Sequence, residues 1–162
     1  MTYIKPNPLP ARLAPLLVPL LLLFTSGTLP AQTGPQPRLP TVDLRAGMHT
    51  IKAELAVTPE QQMTGMMFRR EMNGNEGMLF VADDKSTRCF WMKNTLVPLS
   101  IAFIDDDGTI VNLADMQPLD EHSHCAKAPV RYALEMPRGW FDKRGVKAGF
   151  KLGGQPFGSP PR

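Results

Sequence analysis

The sequence predicts a mainly β fold with two short helices (α+β), a compact antiparallel β-barrel or roll in a single domain. Apolar and polar residues alternate with a period of two along several stretches. Turn-forming Asp and Gly separate those stretches, and signals that open a helix are few. Many short strands with little helix pack as a barrel or roll rather than as a layered α/β sheet.

In chain order, Val42 to Arg45 makes a short strand that pairs with its successor across Ala46-Gly47-Met48. In that successor Ile51, Ala53, Leu55 and Val57 alternate with Lys52, Glu54, Ala56 and Thr58, the pattern of a half-buried strand. Thr58-Pro59-Glu60-Gln61 combines a capping box with proline at the first helical position. The helix it opens is expected to reach about Arg70, with Met63, Met66 and Met67 inward. Gly65 weakens a helix by about 1 kcal/mol relative to alanine, which points to close approach by another backbone. Met78 to Val81 and Cys89 to Met92 read as further strands. Residues 100–104 are apolar on both faces and so belong inside a sheet. Asp105-Asp106-Asp107-Gly108 turns that strand back into 109–113 as a hairpin. Val130, Tyr132, Leu134 and Met136 alternate with Arg131, Ala133 and Glu135, and a second short helix is expected over 138–144, ending at Gly145.

Residues 1–31 read as a secretory signal peptide. Lys5 and Arg12 precede a twelve-residue apolar run over 13–24, broken by Pro15 and Pro19, and small or polar residues follow up to Ala31. The run is shorter than the roughly 20 residues a spanning helix needs, so no stable membrane span is expected after cleavage. Residues 32–40 form a Pro-rich linker, 41–153 one globular β-rich domain, and 154–162 a disordered tail. The expected location is periplasmic or secreted.

Removing residues 1–31 takes away Lys5 and Arg12 but no acid, so the remainder is close to neutral. Nucleic-acid binding is therefore not expected, because phosphate neutralisation needs a strong basic surface. The two cysteines, Cys89 and Cys125, cannot staple a miniature scaffold or form a four-thiolate zinc site. In an oxidising compartment an even number of thiols usually pairs, which predicts a Cys89–Cys125 disulfide. A metal-ligating Cys125 and two free thiols are the alternatives.

Several constellations bear on chemistry. Asp120-Glu121-His122-Ser123-His124-Cys125 gathers metal-ligand types, and His122 and His124 are the candidates for a metal-binding protein; an exposed polar loop is the simpler reading. Asp105 to Asp107 fit a turn better than a calcium loop, since Phe103 stands where the first ligand would be. No nucleophile elbow or phosphate-cradling glycine loop is present. The ten methionines raise the possibility of copper, for which thioether is a soft ligand, but adaptable core filling explains them more simply.

The most distinctive stretch is Arg88-Cys89-Phe90-Trp91-Met92-Lys93-Asn94-Thr95. Trp91 and Lys93 share one face of an extended chain, with Asn94 and Thr95 at its end. An aromatic plane, a cation and an amide suit an anionic or sugar-like ligand. A structural role competes, with Trp91 in the core, Lys93 paired to Glu135, and Asn94 and Thr95 holding a turn. Trp91, Lys93, Asn94, Thr95, Arg69 and Glu135 are the candidate ligand-binding residues.

These motifs resemble the family called domain of unknown function 192, over roughly 42–153. The resemblance rests on Gly65-Met66-Met67-Phe68-Arg69, Gly77-Met78-Leu79-Phe80, Phe90-Trp91-Met92-Lys93-Asn94-Thr95 with Pro98-Leu99, Pro129-Val130-Arg131-Tyr132 and Gly139-Trp140, in that order. It implies a compact, mainly β fold and frequent export, and no established reaction, substrate or cofactor. The family often has Asp where this chain has Ser100, which argues against an essential carboxylate there. The expected function is a non-catalytic binding or accessory module of the bacterial cell envelope, whose partner is a small molecule or an envelope protein. The alternatives are an envelope enzyme using Lys93, Asn94 and Glu135, and a metal-binding protein using His122 and His124.

Overall fold

A computed structural model describes residues 34–157. The expected signal peptide over 1–31, residues 32–33 and residues 158–162 lie outside the described residues. The strands are β1 (Thr41–Ala46), β2 (His49–Ala56), β3 (Glu76–Ser86), β4 (Cys89–Phe90), β5 (Leu99–Ile104), β6 (Ile110–Met116), β7 (His124–Cys125) and β8 (Val130–Pro137). Six of them form one sheet in the order β1-β2-β3-β8-β5-β6, and β4 pairs with β7.

Most pairings are antiparallel, as the alternation predicts, but β2 and β3 run parallel. The helix α1 (Pro59–Thr64) with the turn after it makes the crossover between them. The capping box at Thr58 is present: Gln61 N–H donates to the Thr58 hydroxyl, and the Gln61 side chain accepts from Thr58 N–H. The helix stops at Thr64 rather than Arg70. Gly65 leaves it at φ 47° and Phe68 follows at φ 62°, neither of which a right-handed helix admits. A Cβ at Gly65 would sit 3.2 Å from the Phe80 ring, so a side chain, not a backbone, makes the close approach. Met63 is 77% exposed, contrary to the expected inward placement. The second expected helix is only a 3-10 turn, Asp142–Arg144, capped by Gly145 in the left-handed region.

The alternating strands bury both faces of the sheet. One face carries Leu79, Ala102, Ile104, Tyr132 and Leu134, with Trp140, Phe141, Val146 and Leu152 packed against it. The other carries Met78, Phe80, Ile101, Phe103 and Ala133, covered by Met66, Met92 and Val97. Strand β8 is therefore buried almost throughout, and the half-exposed face expected at Arg131, Ala133 and Glu135 does not exist.

The strand pairing does not close into a barrel. The edges β1 and β6 are instead bridged by a strap over 149–153. Arg45 and Gly153 exchange two backbone hydrogen bonds at 2.8 Å, and Ile110 N–H donates to Phe150 O at 2.9 Å. A Cβ at Gly108, where φ is 90°, would lie 2.4 Å from Leu152 O, so the hairpin turn needs glycine for the strap to pass. The strap bonds each edge strand at one residue, Arg45 of β1 and Ile110 of β6. At the other end of the domain, Arg38 and Leu39 N–H bond the Glu54 carboxylate, and Leu55 N–H donates to Pro40 O.

The predicted disulfide is present. Cys89 and Cys125 face each other in the β4–β7 ladder with Cα atoms 4.0 Å apart. The link closes a separation of 36 residues, for which the chain-entropy argument gives a stabilisation of about 4 kcal/mol. Replacing both cysteines by serine is expected to lower unfolding free energy in urea by roughly 3–4 kcal/mol. An unchanged midpoint would show that the two small strands hold without it.

Candidate functional site

The β4–β7 ladder delivers the chain into the 91–95 loop. Trp91 is 47% exposed, Met92 is fully buried and Lys93 is exposed, so the period of two continues past the strand. Backbone bonds fix the loop from both sides. Met92 N–H donates to Asp120 O, Thr95 N–H to Met92 O, Phe68 N–H to Asn94 O, and Leu119 N–H to Thr95 O. Asn94 sits at φ 55°, a conformation that Asn tolerates better than most residues. Its side chain reaches only the Met67 sulfur, at 4.0 Å. Asn94 is thus the corner of a turn.

Lys93 does not pair with Glu135. Its ammonium lies over the Trp91 ring, 5.1 Å from the centroid. Arg69 is buried and committed to Glu54, with Nη1–Oε1 at 2.5 Å and Nη2–Oε2 at 2.8 Å. Burial alone would raise the Glu54 carboxyl, but hydrogen bonds from Arg69, Leu39 N–H and Arg38 outweigh it and hold the group at about 2. This pair ties the turn after α1 to strand β2, and neither member lines the cavity at Trp91.

Three of the six candidate residues do meet. Trp91, Thr95 and Glu135 line a narrow cavity of about 40 Å³, together with Met63, Met66 and Met67. A groove of about 400 Å³ that shares Gln62, Met63, Phe90 and Trp91 with it extends outward to Arg88. Glu135 is 4% exposed and lies between Met78 of β3 and Ile101 of β5. No described residue donates a hydrogen bond to its carboxyl, and no cation pairs with it. Burial pushes the carboxyl up to about 8, so it is mostly protonated at neutral pH. A neutral buried acid can donate a hydrogen bond that an ionised one cannot.

The histidine loop gathers less than its sequence promised. His122 Nδ1 lies 2.7 Å from Asp120 Oδ1 and His124 Nε2 lies 3.8 Å from Asp120 Oδ2. Among the described residues no group of three His, Cys, Asp or Glu is placed to hold a metal ion, and Cys125 is consumed by the disulfide. A further cavity of about 250 Å³ is lined by Ser100, Asp115, Phe141 and Lys147. There the Ser100 hydroxyl donates to Asp115 at 2.5 Å and accepts from Gly139 N–H at 2.9 Å, fastening β5 to β6 and to the turn after β8.

The sequence places Met63, Met66 and Met67 together on an inward helix face; the helix instead ends at Thr64, leaving Met63 exposed and Met66 buried, while all three still border one cavity.

The fold defines a small, mainly β domain with one lone helix. The chain belongs to the family DUF192, described as an uncharacterized ACR, whose model matches residues 42–154. It is similar to a crystal structure from Sinorhizobium meliloti 1021 that carries a provisional description as a transcription regulator. The identity is 35% and the TM-score 0.70, with 74% of this chain and 97% of that chain covered. It is also similar to a protein of unknown function from Novosphingobium aromaticivorans, at 35% identity and a TM-score of 0.65, covering 70% of this chain and 83% of that one. A comparison with curated proteins finds no match.

Proposed function

We propose that this protein is an exported, non-catalytic binding module of the bacterial cell envelope, and that its ligand enters the cleft where Trp91 covers Glu135. The observation that carries the reading is the carboxyl of Glu135, a residue only 4% exposed that lines the cavity and bonds no other described residue. A buried polar group left unpaired costs about 1–3 kcal/mol, and a ligand that pairs with it recovers that energy. The half-exposed Trp91 ring offers the flat apolar surface beside it.

An enzyme needs a second group converging on the reacting atom. Lys93 lies over the Trp91 ring and Asn94 forms a turn, so the alternative built on Lys93, Asn94 and Glu135 keeps only one of its three residues at the cavity. The near-neutral composition after residue 31 does not favour a nucleic-acid partner. Among the described residues no helix is long and apolar enough to cross a membrane. Export is supported by the apolar run over 13–24 and by a disulfide between two exposed cysteines, a bond that persists in oxidising compartments. The domain of 41–153 then follows a cleaved segment and a Pro-rich linker.

The test is a titration of the chain from residue 32 onward with the low-molecular-weight fraction of envelope extract, read by tryptophan emission. Wild type should respond. Trp91→Phe, which keeps Trp140, and Glu135→Gln should not. An equal response from all three proteins would sink the proposal.

A further inference from the structure

The cavity beneath Trp91 is too small for a sugar ring or a nucleotide base. At about 40 Å³ it holds roughly one water-sized occupant, since a water takes about 30 Å³ of liquid. Its lining is chemically unusual. Met63, Met66 and Met67 all border it, Met63 from the last turn of α1 and the other two from the turn beyond Gly65. Core filling accounts for Met66, which is buried, but not for Met63, which is 77% exposed, or for Met67, which is half-buried. Trp91 lines the same cavity, and its ring already carries the Lys93 ammonium at 5.1 Å. The remaining polar atom of note is the carboxyl of Glu135, 96% buried by its 4% exposure and without a partner among the described residues.

Thioether sulfur is a soft donor that selects Cu(I) over hard cations such as K⁺, Mg²⁺ or Ca²⁺. An aromatic face stabilises a cation near its centroid, more so when the cation is shielded from water. The Glu135 carboxyl adds an oxygen atom to this otherwise soft lining. We infer that this cavity is a site for a soft monovalent cation, Cu(I) or Ag(I), with the thioethers of Met63, Met66 and Met67 as ligands, Trp91 as a cation–π wall and Glu135 as the oxygen donor. The assignment rests on the cleft proposed above and names its ligand class. It differs from the histidine alternative in residues and in place, since the loop holding His122 and His124 does not border this cavity.

Silver tests it without the reductant that Cu(I) would need, so the disulfide stays intact. The oxidised chain from residue 32 onward is titrated with silver nitrate in chloride-free buffer. Trp91 emission and the methionine methyl resonances are followed. One silver ion per chain should bind saturably, quench Trp91 and shift the methyl signals of Met63, Met66 and Met67, while potassium and magnesium do neither. In the double variant Met63→Leu and Met67→Leu, a volume-conserving change, silver affinity should fall at least tenfold, since losing even a residue that merely supports a metal ligand costs about 10–100-fold. Met48→Leu, at an exposed methionine outside the cavity, should change nothing.

The assignment is overturned if wild type shows no saturable signal, if the double variant binds as tightly as wild type, or if the shifted methyls belong to methionines elsewhere. The methyl shifts are read on wild type, so they decide the question even if the variant folds poorly. If silver fails but envelope extract still perturbs Trp91, the cation is wrong and the cleft stands. If neither perturbs it, both fall.

Discussion

Raising the pH from 4.5 to 8 should destabilise this protein by up to about 5 kcal/mol, and Glu135→Gln should remove most of that loss. The sign follows from proton binding. Burial raises the Glu135 carboxyl to about 8 in the folded state, against an ordinary value of 4.5 in the unfolded chain. Below pH 4.5 both states hold the proton, and the group contributes no slope. Between 4.5 and 8 the unfolded chain releases it while the folded protein keeps it, so stability falls with pH at up to 1.36 kcal/mol per unit. Above 8 both have released it and the loss is complete. Glutamine keeps the shape and cannot ionise, so its profile should be flat through this window. Glu54 acts in the opposite sense. Its carboxyl is held at about 2, so the stability it provides is present above its ordinary value of 4.5 and fades as pH drops towards 2. The two together place maximum stability near the low end of the range in which both are satisfied. Urea unfolding at pH 5 and pH 8.5, at fixed ionic strength, measures the difference. Parallel profiles for wild type and Glu135→Gln would show that another group governs it.

Arg69→Met should cost about 3–5 kcal/mol, because it leaves the buried Glu54 carboxylate without its bidentate partner. Arg38 and Leu39 N–H still bond Glu54, which places the expected value toward the lower end. The double change Glu54→Leu with Arg69→Met should recover most of the loss, since removing both charges removes the desolvation problem. Comparing the two singles with the double gives the coupling energy directly. If the double variant is as unstable as Arg69→Met alone, the site depends on polar packing rather than on paired charge.

The local features of the fold were legible and the long-range ones were not. Alternation marked β2 and β8, an apolar run marked β5, the Asp105–Gly108 turn marked β6, and the Thr58 capping box marked the start of α1, because each depends on neighbours within a few residues. The end of α1 was misplaced because the positive φ values of Gly65 and Phe68 are imposed by packing on Phe80 and by the Asn94 carbonyl, which come from other strands. Glu135 was recognisable as a candidate, yet the alternation around it suggested a wet face. Only the sheet order, with β8 between β3 and β5, makes it a buried acid. The parallel β2–β3 pairing and the open edges follow from the same order, which no local pattern encodes. Of the six candidate residues, Trp91, Thr95 and Glu135 line one cavity, and Arg69, Lys93 and Asn94 do not line it.

The strap over 149–153 has a kinetic side. It joins Arg45, near the start of the domain, to Gly153, at its end, so this contact spans nearly the whole described chain. Contacts of such long sequence separation form late, because loop-closure entropy must be overcome before they contribute. Among the described residues the strap is also nearly the last to leave the ribosome. The chain can therefore assemble its hairpins first, β1 with β2 included, and the Arg45–Gly153 bridge closes last. The final step of folding thus waits on the last residues of the domain, and the two ends of the chain lock together only when the rest is in place.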